Sequence, residues 1–200
     1  MPLADFQAAL GTMVAVGATA QPLPNAQLNL SHEEAAWLGS LPDAPGFKVT
    51  CAIQRWWRET RLRSLARLTM AALGAEQAAQ FLTTYLQANL CTSLFFLPET
   101  LAFLRFVESH TDNPQLAAIA RFEGALLLAK EEATQPHSLD EPTTIYIEFA
   151  APPEEILTAL LQGLPLPAPR AERFPVWVSS ALPHFWQSVR MEGPACRAGP

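Results

Sequence analysis

The sequence predicts a mostly α protein, an N-terminal helical bundle followed by a small α+β C-terminal unit. Three observations carry that prediction. Apolar residues recur at three- and four-residue spacing through most of residues 3–133, the period of helices with one buried face. Of the eighteen prolines, twelve cluster at 22–24, 42–45, 136–142, 152–153 and 165–175, where they punctuate elements rather than interrupt them. The β-branched and aromatic runs that read as strands come after residue 142.

Taken in order, residues 3–14 place Leu3, Phe6, Leu10, Met13 and Val14 on one helical face, and a Pro-rich link follows through Pro24. Ser31-His32-Glu33-Glu34 is a capping box, in which the Ser31 hydroxyl and the Glu34 carboxylate each accept the other's backbone N–H. The helix it opens ends at Pro42 and Pro45. The longest helical stretch is predicted over 47–73, stopped by Gly74, and a second runs over 76–89 with Phe81, Leu82, Tyr85 and Leu86 on one side. Pro98 and the pair Asn113-Pro114 are first-turn prolines, opening helices that carry Phe103, Leu104 and Val107 and residues 115–133. Four helices joined by short links read as a bundle over 1–135.

The link at 134–142 changes the character of the chain. Residues 143–149, Thr-Thr-Ile-Tyr-Ile-Glu-Phe, form a strand pattern, and Pro152-Pro153-Glu154-Glu155 opens a short helix closed by Gly163. Phe174–Ser179 is a second strand, and a last segment runs over 182–189. The second unit is thus strand–helix–strand over 143–190, and no internal repeat has a solenoid period.

Composition limits the function. Of 200 residues, half are hydrophobic and 16% charged, which suits a packed protein rather than a disordered one. A net charge of −6 counts against nucleic acid, whose non-specific affinity comes from surplus Lys and Arg. No apolar run reaches the ~18 residues of a membrane span, and the N-terminus lacks a signal-peptide pattern. Three scattered cysteines, Cys51, Cys91 and Cys196, are the odd count of a reduced compartment. The expectation is a cytoplasmic protein with no membrane partner.

Catalytic chemistry finds no local pattern. His32, His110, His137 and His184 lie far apart, no Cys-x-x-Cys occurs, and neither does a nucleophile elbow or a phosphate-binding glycine loop. No cofactor, metal or catalytic residue is expected. The one dense charged cluster is Arg55-Trp56-Trp57-Arg58-Glu59-Thr60-Arg61-Leu62-Arg63. Its arginines fall on several helical faces, unlike the single face of a DNA-recognition helix. Arg and Trp are common anchors of protein interfaces, so Arg55, Trp56, Arg58 and Arg61 are candidates for a partner surface. Internal salt bridges are the plainer alternative. Glu123 falls in the middle of an apolar helical face and needs a buried partner there, for which Arg58 and Arg67 are the candidates.

The second unit offers a binding edge. If the strand containing Ile145, Tyr146, Ile147, Glu148 and Phe149 borders the sheet, an extended peptide can add to it as a further strand. Trp177 and Trp186 could then line side-chain pockets, or could merely cover the sheet.

A family resemblance joins these pieces. Arg61-Leu-Arg-Ser-Leu-Ala-Arg-Leu, Leu73-Gly74-Ala-Glu76 and Phe81 through Tyr85-Leu86 resemble the core of a bacterial helical family. Pro98, Phe103-Leu104, Pro114-Gln-Leu116 and Ala120-Arg121-Phe122-Glu123-Gly-Ala-Leu126 continue the pattern in the same order, and the opening Leu3-Ala-Asp-Phe-Gln-Ala-Ala-Leu resembles its first helix. The resemblance covers about residues 3–133. The family, first labelled as DNA-binding, is that of HvfC-type accessory proteins, to which MbnC and TglI of ribosomal peptide pathways look related. It implies a non-catalytic subunit in a heterodimer with a TIM-barrel multinuclear iron-dependent oxidase that modifies cysteines of a ribosomally made precursor peptide. The accessory subunit would bind the barrel and, through a C-terminal recognition element, the peptide's leader, on 143–149 or Phe174–Ser179. Two strands are evident where a winged-helix recognition element has three. The old label keeps a DNA-binding transcriptional regulator as the alternative, and a free-standing enzyme is a further rival.

Overall fold

The computed structural model describes residues 3–16, 29–89, 96–134 and 142–189. The Pro-rich link through Pro24, Cys91, His137, Cys196 and the tail from Met191 lie outside the described residues. The helices are α1 (Leu3–Val16), α2 (His32–Ser40), α3 (Pro45–Leu65), α4 (Arg67–Ala88), α5 (Phe96–His110), α6 (Pro114–Thr134) and α7 (Pro153–Gln162), and the strands are β1 (Thr144–Phe149), β2 (Phe174–Ser179) and β3 (Trp186–Ser188). The mostly helical class with a small C-terminal α+β portion is what the sequence predicts. Among the described residues no helix is long and apolar enough to cross a membrane.

Two compact units divide the chain: Met1–Leu65 with Ala79–Glu99, and Ala66–Ala78 with Thr100–Pro200. The division does not follow the expected boundary between residues 135 and 143. Its physical reason is α6, whose Ile119, Phe122, Ala125 and Ala129 share one core with Ile147 and Phe149 of β1, Ile156 of α7 and Val176 and Val178 of β2. The sheet therefore has no separate core of its own.

In the first unit, Ala9 and Met13 of α1 bury against Leu38, Phe47 and Cys51. The capping box forms as read, with the Glu34 N–H 3.2 Å from Ser31 Oγ and the Ser31 N–H 2.8 Å from Glu34 Oε2. A 3-10 turn, Leu41–Asp43, absorbs Pro42 before α3 begins. Inward positions of α3 are Phe47, Cys51, Arg58 and Leu62, one face of a 3.6-residue period. Cys51 is a small core residue, and burial pushes its thiol up from the ordinary value.

The helix expected to run unbroken to Leu73 stops at Leu65, because a second helix starts at Arg67 under a cap that no local residue supplies. The Ala66 carbonyl accepts the first bond of α4, from Met70 at 2.9 Å. Alanine has no side chain to satisfy the free amides of the first turn. In the second unit the Glu123 carboxylate does so instead, taking the N–H groups of Leu68 and Thr69, each at 2.8 Å. Gly74 then interrupts α4 at φ 69°, ψ 175°, a conformation open almost only to glycine.

The sheet is antiparallel with strand order β1-β2-β3. β1 pairs along its whole length, from Thr144 opposite Ser179 to Phe149 opposite Phe174. Between them α7 buries Pro153, Ile156, Ala159 and Leu160. Gly163 ends it at φ 65°, and the Leu164 N–H reaches back 2.9 Å to the Ala159 carbonyl, a Schellman closure. The third strand, three residues long, is an addition to the two the sequence predicts. It follows a turn in which Phe185 adopts φ 63°.

Candidate functional site

β1 lies at one border of the sheet and β2 in its centre. This separates the two strands considered for peptide addition. Phe174–Ser179 is paired with β1 on one side and, through Val176, Trp177 and Val178, with β3 on the other. Its backbone groups are committed over that stretch, so the leader expectation for this strand is corrected. On β1 one flank is paired, and on an edge strand alternate N–H and C=O groups of the other flank point away from the sheet.

Alternation sorts the β1 side chains into two sets. Ile147 and Phe149 are fully buried in the core beside α6, with Ile145 partly so. They build the wall behind the edge and do not present themselves to a peptide, which corrects the expectation for Ile147 and Phe149. Tyr146 and Glu148 are exposed on the outer face, where the Tyr146 hydroxyl donates to Glu148 Oε1 at 2.9 Å. That bond raises the Tyr146 hydroxyl above its ordinary pKa. Trp177 is exposed beside Tyr146, the rings meeting edge to face at 5.1 Å. Trp186 turns the other way and packs on Phe122 at 5.8 Å, so it covers the core rather than lining a pocket.

Two clefts accompany β1 along α6. One, of about 410 Å³, is bounded by Pro114, Ala117, Ala118 and Arg121 on the helix side and by Tyr146 to Glu148, Ala150 and Arg173 on the other. The second, about 170 Å³, is bounded by Leu101, Leu104, Ala120, Gly124, Leu128 and Ile145, with Arg105, Glu108 and Arg121 at its rim. Arg121 belongs to both. The start of α6 accompanies the end of β1 and its middle the start of β1, so helix and strand run in opposite senses with a furrow beside them.

The furrow's charged groups are partly committed. Arg121 is ion-paired with Glu108, its Nε 2.8 Å from Oε1, and Glu148 accepts the Tyr146 hydroxyl. Among the described residues the guanidinium groups of Arg105 and Arg173 have neither a hydrogen bond nor an ion pair. Sequence reading missed Arg105, Arg121, Gly124 and Arg173. Only Arg173, directly before a strand, carries a weak local hint; the others come to the furrow through helix packing.

The partner-surface candidates separate in the first unit. Arg58 is 2% exposed, its Nε 2.6 Å from Glu99 Oε1 and its Nη2 2.8 Å from the Asn89 carbonyl. It is an internal residue, which corrects its assignment to a partner surface. It is also not the partner of Glu123, which binds amides rather than a cation. Arg61 lies over the Phe96 ring at 4.5 Å and near the Trp57 ring at 5.8 Å. Arg55 and Trp56 are exposed, and Val49 and Ile53 extend Trp56 into an apolar stripe at helical spacing.

Among the described residues no three His, Cys, Asp or Glu side chains are grouped to hold a metal ion. The fold and site together define a mostly helical protein ending in a three-stranded antiparallel sheet, with an edge strand set beside a furrow. No family model matches the chain, and neither does any curated protein or solved structure.

Proposed function

We propose that this chain is a non-catalytic accessory subunit that binds a TIM-barrel multinuclear iron-dependent oxidase and brings to it the leader of a ribosomally made precursor peptide for cysteine modification. The observation that carries the recruiting half is β1 at the border of the sheet with clefts along its length. An extended segment added there gains main-chain hydrogen bonds from the strand and selectivity from the clefts. Tyr146 and Glu148 would flank the added strand on the outer face, with Trp177 behind them.

Support for the oxidase half comes from the family resemblance and from α3. Val49, Ile53, Trp56 and Trp57 are large apolar side chains exposed on one helix. Such a stripe, bordered by Arg55 and Arg61, has the aromatic and arginine content of interface centres. The same helix is the best support for the DNA-binding alternative, since it holds Lys48 and four arginines against Glu59 alone. Two of those arginines are committed, Arg58 to Glu99 and Arg63 to Glu59, and exposed tryptophans suit a protein surface better than a phosphate backbone.

Co-expression with a barrel-type iron oxidase, followed by size-exclusion chromatography and metal analysis, tests this function. Co-elution at one-to-one ratio, with iron lost when the oxidase is omitted, is the expected result. A chain that elutes alone and retards duplex DNA in a salt-dependent way would favour the regulator.

A further inference from the structure

We infer that the peptide added to β1 is acidic in a defined register: it places an aliphatic side chain and a carboxylate two residues apart, facing α6. This rests on the reading of β1 as a strand-addition edge. Side chains of an added strand alternate faces in step with those of β1, so every second residue points to the α6 side. On β1 that side is occupied by Ile145 and Ile147. A residue opposite Ile145 enters the smaller cleft, whose walls are Leu101, Leu104 and Leu128 over the bare Gly124 backbone. A Cβ at Gly124 would meet Leu104 and Leu101 side-chain carbons at 3.7 and 3.8 Å, so the glycine leaves room that a side chain would fill. An aliphatic residue suits that space.

Two residues on, opposite Ile147, the added side chain enters the larger cleft. Across both clefts three arginines face two glutamates. Glu108 is ion-paired with Arg121, whereas Glu148 accepts only the neutral Tyr146 hydroxyl and keeps its charge. Arg105 and Arg173 have no ion pair among the described residues, which leaves a net excess of one positive charge across the two clefts. Arg173 lies on the larger cleft, and its planar fork is suited to a carboxylate. The furrow as a whole is thus cationic by one charge within a chain of net charge −6, and a basic side chain placed against Arg173 would meet repulsion.

The test is selection of a phage-displayed library of random ten-residue peptides on the full chain, followed by affinity measurement of the selected peptides in solution. Enrichment of Asp or Glu two positions from Leu, Ile or Val is expected. Arg173→Glu, an exposed change, should then weaken the selected peptides about tenfold or more and favour Lys at the acidic position. N-methylation of alternate peptide amides, which removes strand hydrogen bonds, should abolish binding in one of the two phases. Peptides that depend on those amides yet show no acidic bias and ignore Arg173→Glu would overturn the charge register and leave the edge standing. No enrichment, or binding indifferent to N-methylation, would overturn the edge and the register together.

Discussion

The carboxylate of Glu123 caps a helix whose first turn lies 55 residues before it in the chain, accepting the Leu68 N–H at 2.8 Å. Its second oxygen takes the Thr69 N–H, so two first-turn amides of α4 depend on one buried side chain. Glu123→Leu would leave both without an acceptor in an apolar site. The expected cost is about 2–4 kcal/mol, from a lost cap and unsatisfied buried donors. Chemical denaturation measures it, and an unchanged midpoint would remove Glu123 from the account of why α4 starts at Arg67.

Glu123 also predicts a pH dependence. Burial pushes its carboxyl above the ordinary value near 4.5, while the amide bonds from Thr69 and Leu68 pull it back. The folded chain thus holds a proton at pH values where the unfolded chain has released it. That contribution is complete below the unfolded pKa and is lost as pH rises through the folded one. Glu123→Gln cannot titrate. The stability difference between wild type and this variant should shift against wild type from about pH 4 to about pH 7, and a constant difference would contradict the direction.

Arg58 and Glu99 make a second buried dependence, at 3% and 5% side-chain exposure. Removing one partner of such a pair costs about 3–5 kcal/mol, whereas apolar replacement of both is often near neutral. Arg58→Ala should therefore be strongly destabilising, and Arg58→Met with Glu99→Leu should recover most of the loss. Thermal unfolding of the single and double variants decides it. Equal losses in both would mean that the charges themselves are needed.

Gly74 has open space around its missing side chain, yet Gly74→Ala should cost about 1–3 kcal/mol because φ 69° with ψ 175° is closed to other residues. A neutral substitution, read by urea denaturation, would mean that the break in α4 relaxes.

For the partner surface, Trp56→Glu changes an exposed residue and should leave the melting temperature nearly unchanged. If α3 docks the oxidase, co-elution should weaken by roughly thirtyfold or more, as for loss of a tryptophan anchor. Undiminished co-elution would move the interface off this stripe.

What was legible in the sequence follows from the range of the interactions. The Ser31–Glu34 box, Pro114 behind Asn113 and the Gly163 stop act within four residues, and each formed where the pattern placed it. The break at Ala66 did not announce itself, because its cap comes from another helix. Arg58 and Glu99 are 41 residues apart, and among five cations on α3 nothing local marks the one that turns inward. β3 was missed because Trp186–Ser188 is too short to show a period. The edge position of β1 depends on strand order, which alternation does not encode, and so the furrow with Arg121 and Arg173 was invisible while the strand beside it was not.

The most direct test of the central claim is residue-resolved amide hydrogen exchange of the full chain, with and without the tightest peptide from the library selection. Slowed exchange at alternate amides of Thr144–Phe149, with no new protection in Phe174–Ser179, is the predicted result. Protection absent from β1 and appearing instead on α3 would contradict it, placing peptide binding away from the sheet edge.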